Sequence, residues 1–302
     1  MTRVATIPLQ RTLSGAMQRS QQSLGASQLQ LNTGKKAHDY AGLGIDAVRT
    51  LSARSMLLQQ QSYQSVASRV GTTLSLYDAN ITQIDESVSN LRKELMTALG
   101  TGNSPGIQDL IEGSFADVRA ALNATESGIP IFAGSQTNDL PMVPETLADL
   151  AAMAPADIFV NDGVRQSARV GDGVDVEYGV GASDVGAGLV PAFKTLAAAG
   201  PIGERLTDAQ KTAIRQALDE IDAGLVGVRS VNAENGRKQN QVEMMETRAN
   251  DREILLTDVI GSVEDADLGQ VALNISQRQT ILEASYSVFS QLSSLSLVRF
   301  LD

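Results

Sequence analysis

The sequence predicts a mainly α-helical protein: a long antiparallel helical bundle or coiled coil carrying a small β-rich insert. Three observations lead there. Apolar residues recur at alternating steps of four and three over long stretches on both sides of the chain's middle. Prolines and glycines concentrate in one internal segment, residues 139–205. Aromatic residues make up only 4% of the chain and Trp is absent. Large aromatics anchor many compact cores, so this composition suits long, thin helix packing.

Each element follows from its own residues. The first 33 positions are rich in Gln and Ser, with Leu13, Met17, Leu24 and Leu31 at helical spacing and Gly15 and Gly25 inside the pattern. An interior Gly costs a helix about 1 kcal/mol relative to Ala. A lone helix here is therefore marginal, and the segment is expected to be mobile in a free monomer and ordered in an assembly. Residues 32–44 carry Gly34, Gly42 and Gly44 and read as a loop. From Ile45 a helix runs to Leu99, with a heptad seam at Val70, Leu74, Tyr77, Ile81, Ile84, Val88, Leu91, Leu95 and Ala98. Gly and Pro in residues 100–106 stop it. A shorter helix follows over 107–125. Ile129, Ile131 and Phe132, around Pro130, form one strand of a small hairpin at most.

Residues 139–205 contain alternating Val170, Val174, Val176, Tyr178 and Val180 and are read as a compact β-rich insert with one short helix near Glu145–Ala154. Helix resumes at Thr207, with Ile214, Leu218, Ile221, Leu225 and Val228 as its first stripe. A second seam, from Val242 to Val263, leads to a break at Glu264–Asp267. The last helix carries Leu268, Val271, Ile275, Ile281, Leu282, Val288, Phe289, Leu292 and Leu295. Three regions result: 1–44 with 264–302 as a terminal coiled-coil region, 45–138 with 206–263 as a helical core, and 139–205 as the insert. The core seams match one another, which leaves the two terminal stripes spare. They are expected to pair as a polymerisation element, with Leu13, Met17, Leu24, Leu31, Leu268, Val271, Ile275, Leu282, Phe289, Leu292 and Leu295 as its interface.

The formal charge of −11 argues against general nucleic-acid binding. The chain has no Cys, so disulfides, Cys-type zinc sites and Cys nucleophiles are excluded. With His38 the single histidine, no nucleophile–base–orienter set can be assembled, and no catalytic residue or cofactor is expected. Met1–Gln10 holds one Arg and no apolar core, unlike a secretory signal peptide. No run reaches the ~18 apolar residues of a membrane span. A cytoplasmic protein fits these facts, and so does one exported by a route that reads no cleavable signal.

Several strings invite sharper readings. Gly100-Thr101-Gly102 and Gly179-Val180-Gly181 lack the strand–turn–helix setting of a dinucleotide site. Asp172, Asp175 and Glu177 could converge on calcium, but their spacing fits no EF-hand loop and Asp172-Gly173 is a hairpin turn signal. Glu264, Asp265 and Asp267 read as a solvated charge cluster at a helix N-terminus. Asn232, Asn235 and Gln239 either fix the register of the bundle or mark where the seam turns to solvent.

Three separated stretches resemble the bacterial flagellin family. Residues 32–60 are similar to the segment joining the flagellin terminal helix to its long core helix. Ile129-Pro130-Ile131-Phe132-Ala133-Gly134 looks like the family's hairpin. Residues 266–302, with Leu282-Glu283-Ala284-Ser285-Tyr286, look like its tail. Phe-Ala-Gly before the variable region and the closing Leu295-Ser296-Leu297 lean toward the family's short members at the hook–filament junction. The chain departs from the common flagellin pattern at Lys35–Tyr40 and in its last four residues. The resemblance implies a structural, non-enzymatic protein exported through the flagellar type III apparatus. It would self-associate into a ring or filament beside hook-associated and flagellin neighbours, served by an export chaperone, outside the cell and without membrane insertion. Two alternatives stand beside the junction reading: a filament flagellin, and a surface adhesin or ligand-binding protein whose insert is a head on a helical stalk.

Overall fold

A computed structural model describes the backbone of residues 3–301 and the side chains of residues 11–291. In order, the elements are α1 (Arg3–Thr33), α2 (Asp46–Thr101), α3 (Ile107–Leu122), β1 (Thr125–Glu126), β2 (Ile129–Pro130), α4 (Leu147–Ala152), β3 (Gln166–Gly171), β4 (Val174–Tyr178), α5 (Ala182–Gly186), α6 (Val190–Ala198), α7 (Asp208–Glu264) and α8 (Leu268–Leu301). Internal packing divides the chain into two units. One spans residues 60–251; the other holds the residues up to 59 and from 252 onward.

In the 60–251 unit, α2 and α7 pack antiparallel. Every residue of the Val70–Ala98 seam is at most 3% exposed, and Ile214, Ala217, Ile221, Leu225 and Val228 face it from α7. A stripe repeating every 3.5 residues stays on one side of an α-helix, so it buries continuously against a partner carrying the same repeat. The registration is also polar. Arg92 forks onto Asp222 at 2.5 and 3.0 Å, and Arg229 reaches Asp85 at 2.7 Å. Deeper in the seam, the Asn235 and Gln239 amides both donate to the Leu74 carbonyl at 2.9 Å. Asn235 is 2% exposed, which decides for the register reading over the solvent one. α3 covers the pair with Ile107, Ile111, Phe115, Val118 and Leu122.

The Ser127-Gly128 turn, with φ of +53° and +85°, closes β1 onto β2. Phe132 then plugs the bundle edge-on to Tyr77, centroids 5.0 Å apart, while the Tyr77 hydroxyl donates to the Ile131 carbonyl at 2.6 Å. Burial pushes the Tyr77 hydroxyl up to about 12. The β3–β4 hairpin forms as expected, with Asp172-Gly173 as its loop.

Residues 139–205 are less β-rich than their alternation suggested. They hold that one hairpin and three short helices, α4, α5 and α6. The α6 pattern at Val190, Phe193 and Leu196 is helical, and Pro191 is compatible with it because a first-turn N–H needs no intrahelical partner. This segment shares the bundle's core. Phe193 stacks edge-on with Phe115 of α3 at 5.6 Å, and Gly188 lies flat on Gly224 of α7, where an added Cβ would sit 2.7 Å from the Gly188 carbonyl.

Candidate assembly surface

The second unit contains the two terminal helices, and their convergence begins at a charged node. α7 ends at Glu264, α8 begins at Leu268, and the intervening Asp267 caps α8 by accepting from the N–H groups of Gly269 and Gln270 at 2.9 and 3.1 Å. Backbone bonds stitch the loop after α1 to this corner: Lys36 N–H to the Glu264 carbonyl at 2.7 Å, and Ala266 N–H to the Gly34 carbonyl at 2.8 Å. Gly34, at φ +68°, supplies the left-handed turn that permits it.

Glu264 is the surprise of this corner. Its carboxylate is buried, not solvated with its acidic neighbours as expected. Arg54 of α2 grips it with two hydrogen bonds at 2.9 and 2.7 Å, and Lys35 approaches at 3.4 Å. Burial alone would raise this carboxyl; the Arg54 guanidinium outweighs it and holds Glu264 below its ordinary range. Lys35 also bonds Asp265 at 2.5 Å and is raised chiefly by that bond. One carboxylate thus links the loop after α1, the start of α2 and the corner between α7 and α8. Spacing could not have revealed this, because the three partners lie far apart in sequence.

From this node α1 and α8 run antiparallel and pack on one another. Ser27 and Val271 are buried at the base, and farther out the Gln21 amide donates to the Tyr286 hydroxyl at 2.6 Å. The structure therefore brings the two expected terminal stripes together within the chain. Leu13, Met17, Leu24, Ile275, Leu282 and Phe289 are half-buried along the pair, whereas Leu31 and Leu268 are exposed. Leu292 and Leu295 lie outside the described side chains. Other apolar side chains stay open on the same helices: Ile281 and Val288 of the expected stripe, and Leu29, Leu273 and Tyr286 outside it, are 44–67% exposed. Alternating three and four steps select one face per helix. They do not register a second apolar face on the same helix.

Among the described residues, no group of three or more His, Cys, Asp or Glu side chains is placed to hold a metal ion. Asp175 is instead paired with Arg169 across the hairpin at 2.8 Å, and His38 is an exposed loop residue. No described helix is long and apolar enough to cross a membrane.

Comparison with known proteins reaches this region and much of the rest of the chain. Residues 218–301 match the family profile of the bacterial flagellin C-terminal helical region. Over 291 residues the chain is 22% identical to flagellar hook-associated protein 3 of Escherichia coli K12, covering 89% of this chain and 90% of that one. Its fold is similar to a Vibrio parahaemolyticus structure described as a flagellar hook-associated protein, with TM-score 0.58, 16% identity and coverage of 72% of this chain and 97% of the other. It is likewise similar to FlgL of Xanthomonas campestris, with TM-score 0.55, 11% identity and coverage of 69% and 99%.

Proposed function

We propose that this chain is a structural subunit of the bacterial flagellum, a hook-associated protein that polymerises at the hook–filament junction. The observation that carries the reading is the terminal helix pair. The flagellin-like C-terminal region ends in α8, and α8 with α1 leaves apolar side chains uncovered on an acidic chain. An exposed apolar face of this kind calls for cover by another surface. Adjacent subunits supply that cover in a polymer. The interface comprises Leu13, Met17, Leu24, Leu31, Leu268, Val271, Ile275, Leu282, Phe289, Leu292 and Leu295, together with the open set at Leu273, Ile281 and Val288.

On this reading the protein acts as a scaffold and not as a catalyst. Its neighbours are other hook-associated subunits and flagellin. An export chaperone holds it inside the cell, and it is delivered to the flagellum outside the cell without signal cleavage. Deleting its gene should leave hooks intact while filament subunits spill into the medium; hooks that still carry filaments would sink the proposal. Purified chain should give short polymers or none on salting-out, where a filament subunit gives long ones.

A further inference from the structure

A cleft of about 410 Å³ opens in the 60–251 unit between α2, the β1–β2 hairpin and the loop leading into β3. A smaller cavity of about 210 Å³ adjoins it, reaching α7 and sharing Arg165, Gly179, Val180 and Asp184 with it. No residue lining either space belongs to α1 or α8.

Three side chains of this double cavity leave hydrogen-bonding capacity open to a ligand. Asn235, 2% exposed, lines the inner cavity, and its Oδ1 accepts no hydrogen bond. A buried acceptor left this way is destabilising, and a ligand's donor would satisfy it. Arg165 stands where the two spaces meet, with Asp184 and Glu234 no nearer than 3.9 and 3.6 Å. Among the described residues these are charge contacts without hydrogen bonds, which leaves guanidinium N–H groups open to a ligand. Arg69, exposed at the cleft wall, makes no ion pair among the described residues.

The charges decide what class of ligand fits. Arg69, Arg165 and Lys238 face Glu126, Asp162, Asp184 and Glu234, so the lining is close to balanced and slightly negative. That disfavours a phosphate or other simple anion. A free cation is disfavoured too, because Asp162 already accepts from Ser135 and Val164, and Asp184 caps α5. An extended peptide adding as a strand would need a strand edge, and β2 is two residues long with Pro130 in it. A neutral ligand dense in groups that both donate and accept remains. Its hydroxyls can donate to Asn235 Oδ1 while accepting from Arg69 and Arg165. Its C–H faces can lie on Tyr178 and on the exposed side chains of Ile129 and Val164.

We infer that this double cavity is a binding site for a neutral saccharide of one or two rings. The cleft volume falls within the roughly 300–1,000 Å³ of small-molecule sites. The test uses the full chain with glucose, galactose, mannose, N-acetylglucosamine, maltose and lactose, read by saturation-transfer NMR and calorimetry. At least one of these should bind, and Arg165→Met and Arg69→Ala should each weaken it about tenfold or more with the helical spectrum unchanged. Arg69 is exposed, so its variant decides the matter should Arg165→Met fail to fold. Silence from all six sugars, binding indifferent to Arg69→Ala, or displacement of the sugar by equimolar inorganic phosphate would each overturn the assignment.

Discussion

Single side chains set the chemistry of this protein's two organising points, and Glu264 is the more exacting of them. Its carboxyl is held below the ordinary glutamate value of 4.5 by Arg54. A carboxyl lowered in the folded state contributes stability above its unfolded value and loses it as pH falls through the folded one. The contribution of Glu264 should therefore be constant from neutral pH to about 5 and vanish progressively below 4.5. Glu264→Gln should cost about 1–3 kcal/mol at pH 7, between an exposed and a fully buried pair, because one partner is buried and the other half-exposed. Urea unfolding of both proteins at pH 7 and pH 3 checks this: the gap should narrow in acid. An unchanged gap would mean that the residue acts through shape and not through charge.

Helices and turns show where sequence patterns suffice and where they stop. The Val70–Ala98 seam was legible residue by residue, because an uninterrupted 3.5-residue repeat leaves one geometry in which it can be buried. α6 was not, since Gly and Pro around it mimic turn chemistry while Leu189, Val190, Phe193 and Leu196 supply the helical face. Glu264 and the Arg165 cleft were invisible for a deeper reason. Their environments are assembled from residues far apart in the chain, and no local pattern records that convergence. Gly224 belongs to this scale too. Gly224→Ala would press a methyl to 2.7 Å from the Gly188 carbonyl and 2.6 Å from the Leu189 side chain. The backbone cannot give cheaply, so the variant should lose about 1–3 kcal/mol in chemical denaturation. On the terminal pair, Leu282→Asp or Phe289→Asp should release filament subunits into the medium as loss of the gene does, while leaving the monomer helical, because burying an unpaired charge between subunits is prohibitive.

At the scale of the molecule, the insert and the bundle act as one body, whereas the terminal helices have a unit of their own. Removing residues 1–33 or 268–302 should leave a helical monomer that does not polymerise and whose 60–251 unit melts within a few degrees of the intact protein. Collapse of that transition would place the ends in the monomer's fold and refute their role in assembly. Exchanging residues 139–205 for a short linker should instead unfold the protein, because Phe193, Leu196 and Val185 are part of the shared core. A detachable head on a stalk would survive the exchange.

The antiparallel pairing also fixes an order of events in time. Arg92 meets Asp222 across 130 residues, and Gln21 meets Tyr286 across 265. Closing a longer loop costs more chain entropy, by only about 0.6 kcal/mol for each doubling, but the contacts that compensate must wait for the closure. The contacts of α3 with the adjoining end of α2 can form first, then the long α2–α7 seam, and the outermost pair last. A chain that folds from its middle outward closes its ends at the final step. In hydrogen exchange, the amides of α1 and α8 should be the first to open.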